Sequence, residues 1–299
     1  MSTLFHHPKP DIAGGVQYWR GVPATVDGVL GGYGNGTLPR VDALGSRSFL
    51  LRVLPRLSTV DGPARSTCSA AAAASEEAGS SRRRTRALDV GAGVGRVSRD
   101  VLSHVADEVV LVEPAENLLE EAVRSCPSWP AFKKGSTPAK SASFVLSTLQ
   151  SFELQAPVDF APPIWSDGRS GGEESGSSMQ FDVIWCQWML QHLSDPDLIK
   201  FLRSARDALV PADGAAAADA PQEKSVLSGA GCIFIKENVC SENEDGSENV
   251  WWDEEDKSIT RSKQAYERVF REAGLRVVRS EVQLGLPAEL FAVHMWALV

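Results

Sequence analysis

Short apolar runs alternate with amphipathic stretches along most of the chain. Seven runs are predicted to be strands, at residues 86–90, 109–113, 144–149, 181–185, 232–235, 275–282 and 290–298. Helices are predicted at residues 97–102, 117–124, 198–209 and 264–273, and Gly274 after the last of them suits a helix C-cap. This alternation predicts an α/β fold with a mostly parallel, seven-stranded sheet and helices on both faces. Such a sheet binds ligands at the carboxyl ends of its strands, where the strand order reverses.

Three low-complexity segments interrupt this pattern, at residues 61–86, 162–180 and 212–229. They are rich in small and polar residues and lack helical or strand periodicity. Because a flexible loop costs little more entropy as it lengthens, we predict that they are surface insertions. The whole of 1–299 is then one domain, with a helical extension over 1–60. The basic run 82–84 is expected to be a solvated loop rather than a targeting patch.

Composition argues against several classes of protein. The 299 residues carry a formal net charge of −9, which disfavours binding to the phosphate backbone of nucleic acids. Hydrophobic residues make up 43% of the chain, which is sufficient for a large core. No apolar run has the length of a membrane-spanning helix, and the first ten residues lack a secretory signal pattern. The five cysteines are scattered without a CxxC pair, so we expect reduced thiols in a cytoplasmic or nuclear protein and no metal site.

A glycine-rich turn follows the first predicted strand. Residues 89–96 read DVGAGVGR, with glycines in a GxGxG pattern that lets the backbone turn tightly and approach a ligand. A dinucleotide site favours GxGxxG, but Arg96 stands where the third glycine would be. Glu113 ends the next predicted strand, where a carboxylate can accept both hydroxyls of a ribose. The simpler interpretation is a glycine turn with a surface glutamate.

Four segments make the chain similar to a known family. They are YWRGVPATVDGVLGGYG at 18–34, LDVGAGVGR at 88–96, FDVIWCQWMLQHLSD at 181–195 and IKENV at 235–239. The chain resembles the α-N-terminal protein methyltransferases, which belong to the Rossmann-like class I S-adenosylmethionine-dependent methyltransferases. The resemblance implies methylation of the N-terminal amine that Met removal exposes, on proteins that begin Xaa-Pro-Lys. From the composition we expect no nucleic-acid or membrane partner.

The same resemblance implies a set of site residues. The residues implied to bind S-adenosylmethionine are Gly91, Gly93, Arg96, Glu113, Leu149, Gln150 and Gln187. The residues implied to bind the substrate peptide are Trp19, Trp188, Asn238 and Asp253, and those near the accepting amine are His192 and Asp256. An α-amino group has an ordinary pKa of about 7.7–8.0, so it must lose a proton before it attacks. His192 and Asp256 are our candidates to accept that proton.

The sequence departs from the family pattern at three places. Glu113 and Glu237 stand where the family usually has Asp, and the stretch between Asn238 and Asp253 is longer and very acidic. The longer loop puts the placement of Asp253 and Asp256 in doubt. We also formulate the hypothesis that it sharpens a preference for basic N-terminal sequences. If deletion of residues 242–248 left the selectivity between Lys- and Gln-containing peptides unchanged, the hypothesis would be wrong.

Three other functions stay open from the residues alone. The first is a methyltransferase for a small amine or phenol, which needs a closed pocket instead of a peptide channel. The second is a scaffold that binds the cofactor without catalysis, against which the presence of His192, Asn238 and Asp256 argues. The third is an NAD-dependent oxidoreductase, which Arg96 disfavours.

Overall fold

A computed structural model describes residues 9–59, 83–133, 139–154, 160–168, 179–212 and 229–299. Its main sheet has eight strands in the order β4-β3-β2-β1-β5-β6-β10-β9. The strands are β1 Arg86–Val90, β2 Glu108–Glu113, β3 Ser141–Leu146, β4 Ala161–Trp165, β5 Val183–Gln187, β6 Cys232–Val239, β9 Val277–Val282 and β10 Ala292–Leu298. A separate hairpin pairs β7 Val250–Trp252 with β8 Ile259–Arg261.

The five central strands β3, β2, β1, β5 and β6 are parallel, whereas β4 and β10 each run antiparallel to their neighbours. From β1 the chain adds β2 and β3 on one side and then returns to place β5 on the other side of β1. The strand order therefore reverses between β1 and β5. This reversal opens a crevice at the carboxyl ends of these two strands.

Helices cover both faces of the main sheet. The helices are α1 Ile12–Gly21, α2 Val26–Val29, α3 Leu38–Val53, α4 (a π-helical turn Ser98–Leu102 that continues as Ser103–Val105), α5 Glu116–Ser125, α6 Asp195–Asp207 and α7 Lys263–Glu272. The first three lie in the N-terminal region that the sequence predicts to be a helical extension. The side chain of Asp11 caps α1, and that of Ser194 caps α6, by accepting backbone N–H bonds that the helix leaves unpaired.

Alternate residues of the strands fill two hydrophobic cores. In β5, Val183 and Trp185 pack on the side of α3, α4 and α5, whereas Ile184 and Cys186 pack on the side of α6 and α7. All four side chains are fully buried. Since successive side chains of a strand point to opposite faces, a strand that is apolar throughout requires helices on both faces. The two-faced architecture that the sequence predicts is confirmed.

The observed sheet has one strand more than the seven predicted. The additional strand, Ala161–Trp165, pairs antiparallel with β3 at the edge of the sheet. An edge strand has one side without a neighbouring strand and can therefore contain prolines. The two prolines of this strand interrupt the apolar pattern by which a strand is predicted. The insertion predicted to begin at residue 162 therefore begins after this strand. Most of the three predicted insertions, together with Cys68, lies outside the described residues.

The basic run before β1 is tied into the fold. Arg83 pairs with the buried carboxylate of Asp182 at 2.6 Å, and Arg84 pairs with Glu108 at 2.6 Å. Burial raises the pKa of Asp182, but hydrogen bonds and charges from Arg83 and Arg56 outweigh it, so this pKa lies below its ordinary value. Arg83 nevertheless lies in a loop with its side chain 52% exposed, as predicted, whereas Arg84 is more buried than a solvated loop implies. Arg82 lies outside the described residues.

In the described parts of the chain, every helix is too short or too polar to cross a bilayer.

Candidate active site

A cavity of about 510 Å³ opens at the strand-order reversal. Its floor is formed by the turns that follow β1, β2 and β5, where Gly91, Glu113 and Trp188 lie. Residues of the N-terminal extension, such as Trp19, and residues of the loop before β10, such as Phe291, form its other walls. The crevice predicted at the carboxyl ends of the strands is therefore present, with the N-terminal extension as its cover.

Positive backbone φ angles at three glycines shape the turn after β1. The φ values are +68° at Gly91, +54° at Gly93 and +75° at Gly95, a region that costs other residues about 1–2 kcal/mol. A Cβ atom on Gly91 would lie 2.6 Å from Cβ of Met189, and one on Gly95 would lie 2.8 Å from the Trp129 ring. Glycine is thus required at both positions by backbone angle and by space.

Replacement of Gly91 by alanine is expected to lower the affinity for S-adenosylhomocysteine roughly tenfold, since strain and contact with Met189 displace the turn. Titration calorimetry measures this loss. Gly168→Ala is the matched control, because Gly168 also has a positive φ, +76°, but has open space around it and lies outside the cavity. Wild-type affinity in Gly91→Ala would show that the turn does not contact the ligand.

Glu113 lies at the end of β2, and backbone amides hold its carboxylate. Its Oε2 accepts the N–H of Gly93 at 2.9 Å, and its Oε1 accepts the N–H of Ala115 at 2.8 Å. Burial raises the pKa of Glu113 to about 7, and the two backbone hydrogen bonds oppose this shift. Each carboxylate oxygen has a second lone pair, so Glu113 can still accept a hydrogen bond from a hydroxyl in the cavity. Its carboxylate also connects the glycine turn to the start of α5.

A buried ion network lies beside the turn. Asp42 of α3 pairs with Arg96 and, at 2.6 Å, with the ammonium of Lys236. Asp42 also accepts a hydrogen bond from the side-chain amide of Gln187 at 2.9 Å. Arg96 and Gln187 line the cavity, and the guanidinium of Arg96 lies 5.4 Å from the ring centroid of Trp188. The N-terminal extension thereby fixes the orientation of two cavity side chains.

The charge of this network fits an anionic ligand group. Burial raises the pKa of Asp42, but Arg96 and Lys236 outweigh this effect and hold it below its ordinary value. With Asp42 ionised and both cations charged, Asp42 offsets only one of the two positive charges of these three nearly inaccessible side chains. A buried charge needs a partner, and the carboxylate of a bound amino acid group would supply one at Arg96.

Two buried side chains hold the loop that follows β5. Glu237 of β6 accepts the backbone N–H groups of Met189 and Leu190, both at 2.9 Å. Arg261 of β8 donates to the carbonyl groups of Leu190 and Leu193 at 3.2 and 2.6 Å. Both side chains are fully buried, and burial raises the pKa of Glu237 to about 7. The backbone of the loop is therefore held by a carboxylate at its amide groups and by a guanidinium at its carbonyl groups.

This loop presents Trp188 and His192 to the cavity. Trp188 has a positive φ of 54°, a strained conformation for a non-glycine residue that is typical of functional sites. The indole N–H of Trp19 donates to Nε2 of His192 at 3.1 Å. Because an indole N–H can only donate, Nε2 of His192 must be an unprotonated acceptor.

His192 is a suitable proton acceptor. Burial lowers its pKa, and the nearby charges of Asp256 and Asp253 oppose this only in part. Nε2 of His192 lies 3.8 Å from Oδ2 of Asp256, so an imidazolium formed there has a carboxylate next to it. A neutral imidazole with a neighbouring carboxylate can take a proton and then stabilise the resulting charge.

All predicted site residues line this one cavity except Asp253, whose Oδ1 instead accepts the N–H of Glu255 at 2.8 Å within its own turn. The cavity therefore brings together the residues predicted for the cofactor, the peptide and the amine. No local signal in the sequence indicated Asp42, whereas Lys236 lies in the IKENV segment without a recognisable role. In the described ranges, no cluster of His, Cys, Asp or Glu is arranged to hold a metal ion.

A mostly parallel sheet with a glycine turn after β1 and an acidic residue at the end of β2, both at one cavity with a cationic end, is the arrangement of an S-adenosylmethionine-dependent methyltransferase. The family model described as AdoMet-dependent proline di-methyltransferase matches residues 9–217 and 221–299. The chain belongs to this family.

Relatives along nearly the whole chain agree with this assignment. The chain is 32% identical to alpha N-terminal protein methyltransferase 1 of Schizosaccharomyces pombe, over 98% of this chain and 97% of the relative. It is 30% identical to N-terminal Xaa-Pro-Lys N-methyltransferase 1 of Mus musculus, over 94% and 92% of the two chains. The solved structure of a SAM-dependent methyltransferase of Leishmania major is similar with a TM-score of 0.61 and 29% identity, over 96% of this chain and 82% of that chain.

Proposed function

We propose that this enzyme transfers a methyl group from S-adenosylmethionine to the α-amino group of proteins that begin Xaa-Pro-Lys after Met removal. The names of the relatives and the family description support this substrate. The single observation that carries the mechanism is the hydrogen bond that Nε2 of His192 accepts from the indole of Trp19, on the wall of the cavity that Gly91 and Arg96 also line.

The residues present fit the cofactor. Gly91 and Gly93 line the cavity at the turn, Glu113 has acceptor capacity for ribose hydroxyls, and Arg96 is the cation for its carboxylate. Leu149 and Gln150 lie in the loop after β3 and line the cavity. An apolar side chain and a side-chain amide are suited to contact the ring and the polar edge of a purine. When bound, S-adenosylmethionine supplies a methyl group on a sulfonium, which an uncharged amine can attack.

His192 and Asp256 act on the amine. An α-amino group is mostly protonated at neutral pH, so Nε2 of His192 accepts one proton and Asp256 stabilises the charge that results. This requires the indole N–H of Trp19 to give up its bond to Nε2 as the amine enters, which makes Trp19 a positioning residue. Correct placement of the attacking nitrogen is itself a large part of the rate gain.

The remaining substrate groups have matching partners. The Trp188 ring offers an apolar face for the proline at the second position, and Asn238 can bond the peptide backbone. Burial raises the pKa of Tyr18, a cavity residue, and the charges of Glu255, Asp256 and Asp253 raise it further. The negative charge of their turn therefore reaches the cavity wall. This negative turn is a suitable partner for the lysine at the third position.

Mass spectrometry of a Ser-Pro-Lys hexapeptide after incubation with enzyme and S-adenosylmethionine tests the proposal. We expect a mass gain of one or more methyl groups on the N-terminal residue and none on the N-acetylated peptide. Transfer to small amines or phenols alone would favour the small-molecule alternative. Binding of the cofactor without transfer to any N-terminal peptide would favour the scaffold alternative.

A further inference from the structure

Two exposed aromatic side chains lie at the rim of the cavity. In the described parts of the chain, Trp251 and Phe291 have the largest exposed fractions of any Trp or Phe, 46% and 37%. Their rings contact each other, with centroids 5.4 Å apart at an angle of 58°. Phe291 lines the cavity, so the pair continues the cavity wall outward. Exposed apolar surface that adjoins a substrate cavity is typical of a binding surface.

The pair is held by ordered structure. Trp251 lies in β7 and pairs with Thr260 of β8. Just before β7, the carboxylate of Glu248 pairs with Arg268 of α7 at 2.8 Å, which ties the preceding acidic loop to the body of the protein. A ring that is already fixed loses little entropy when it binds a ligand. The aromatic pair is thus a preorganised surface.

Acidic residues lie on both segments that carry the pair. Glu289 lies two residues before Phe291 and lines the cavity, where it accepts a bond from the hydroxyl of Tyr33 at 3.4 Å. Glu255 lies in the turn after β7 and is exposed. An Arg or Lys side chain over an aromatic ring gains a cation–π attraction, and nearby carboxylates add to it.

We propose that the Trp251–Phe291 pair binds an Arg or Lys side chain at the fourth to sixth position of the substrate. This inference rests on the proposed function, because the amine must lie at His192, deep in the cavity, for later residues to pass the rim. In an extended peptide these positions lie about 10–18 Å beyond the first residue. The aromatic pair thereby extends recognition beyond the first three residues.

The experiment compares the peptides Ser-Pro-Lys-Arg-Arg-Ala and Ser-Pro-Lys-Ala-Ala-Ala on three proteins. For the wild type we expect a KM roughly fivefold lower for the Arg peptide, with the same kcat. Trp251→Ala is expected to remove the difference, and Trp251→Phe to restore part of it. Leu284→Ala is the matched control, because Leu284 is 78% exposed but lies outside the cavity, and it should behave as the wild type.

Equal KM values for the two peptides on the wild type, or a difference that survives in Trp251→Ala, would overturn the proposal. Titration calorimetry of both peptides on protein loaded with S-adenosylhomocysteine gives a second readout, in which the Arg peptide should again bind more tightly. If the wild type methylates neither peptide, the proposed function fails. Calorimetry then tests the aromatic pair by itself, and equal affinities contradict it.

Discussion

His192→Ala is expected to lower kcat for an N-terminal peptide by roughly 100- to 10,000-fold, the usual effect of removing a positioned general base. The variant loses the only imidazole that lines the cavity in the described chain, and Asp256 then has no imidazolium to stabilise. Affinity for S-adenosylhomocysteine should change little, because the side chain of His192 pairs with Trp19 and Asp256, whereas Glu113 and Arg96 are held by other partners. Steady-state kinetics and calorimetry on one preparation separate the two effects.

The pH dependence gives this prediction a sharper form. Burial holds the pKa of His192 below its ordinary value of 6.5, so His192 is neutral and able to accept a proton at pH 7. Because the wild type takes the proton from the bound amine, its kcat/KM should change little as the pH passes the pKa of that amine, about 7.7–8.0, whereas in His192→Ala it should rise through this pKa, since only the uncharged amine then reacts. In His192→Ala the deficit should shrink near pH about 9.5, where the amine is uncharged without help.

Trp19→Phe is the matched control for His192→Ala, since it keeps an aromatic ring and removes the N–H that donates to Nε2. It should keep most of kcat, because the base itself remains. A deficit in His192→Ala that is the same at every pH would mean that His192 positions the amine and does not accept its proton. A variant with wild-type kcat would remove His192 from the mechanism.

Local sequence pattern was sufficient for most of the fold. Apolar runs such as Cys232–Val239 are strands because nearly every residue is buried between two helical layers. The edge strand Ala161–Trp165 was missed because an edge strand that contains two prolines has neither an apolar run nor an alternation. Some predicted strand boundaries differ from the observed ones. Strand β3 begins at Ser141, three residues before the predicted start, because the small residues at its beginning show no alternation of apolar and polar side chains.

Some residues of the candidate site were also predictable from the sequence, and others were not. Gly91, Arg96 and Glu113 were predictable because a turn and the ends of adjacent parallel strands meet at one edge of a sheet. Asp42 was not predictable from pattern, because its importance comes from contacts with Arg96 and Lys236, which are distant in sequence. Asp253 is expected to bind substrate by resemblance, and this stays a prediction: it lies outside the residues that line the cavity, and its Oδ1 accepts an N–H within its own turn. A single sequence does not show which residues from distant segments contact each other in the fold.

Asp42→Asn is expected to lower the free energy of unfolding by about 3–5 kcal/mol, the usual effect of removing one partner from a buried ion pair. Asp42 is inaccessible, and the change leaves Arg96 and Lys236 without their carboxylate. Because the pKa of Asp42 is lowered in the folded protein, its contribution is present above the unfolded value of about 3.9 and is lost as the pH falls below it. Urea unfolding should thus show the full difference at pH 7 and a smaller one in acid.

Asp100→Asn is the control for stability. Asp100 pairs with Arg99 at 2.7 Å, but both side chains are partly exposed, so its removal should cost less than about 1 kcal/mol. An equal loss of stability in the two variants would contradict a special role for the buried network.

The same variant reports on the ligand site through Arg96. Burial already lowers the pKa of Lys236, so without Asp42 its ammonium should lose its proton, and the excess charge of the network stays at one. What changes is how firmly the side chains of Arg96 and Gln187 are positioned, because both lose the carboxylate that holds them. S-adenosylhomocysteine should therefore bind roughly tenfold more weakly, whereas 5′-methylthioadenosine, which has no carboxylate, should bind as to the wild type. An equal loss for both ligands would mean that Asp42 supports the shape of the cavity and not the recognition of a carboxylate.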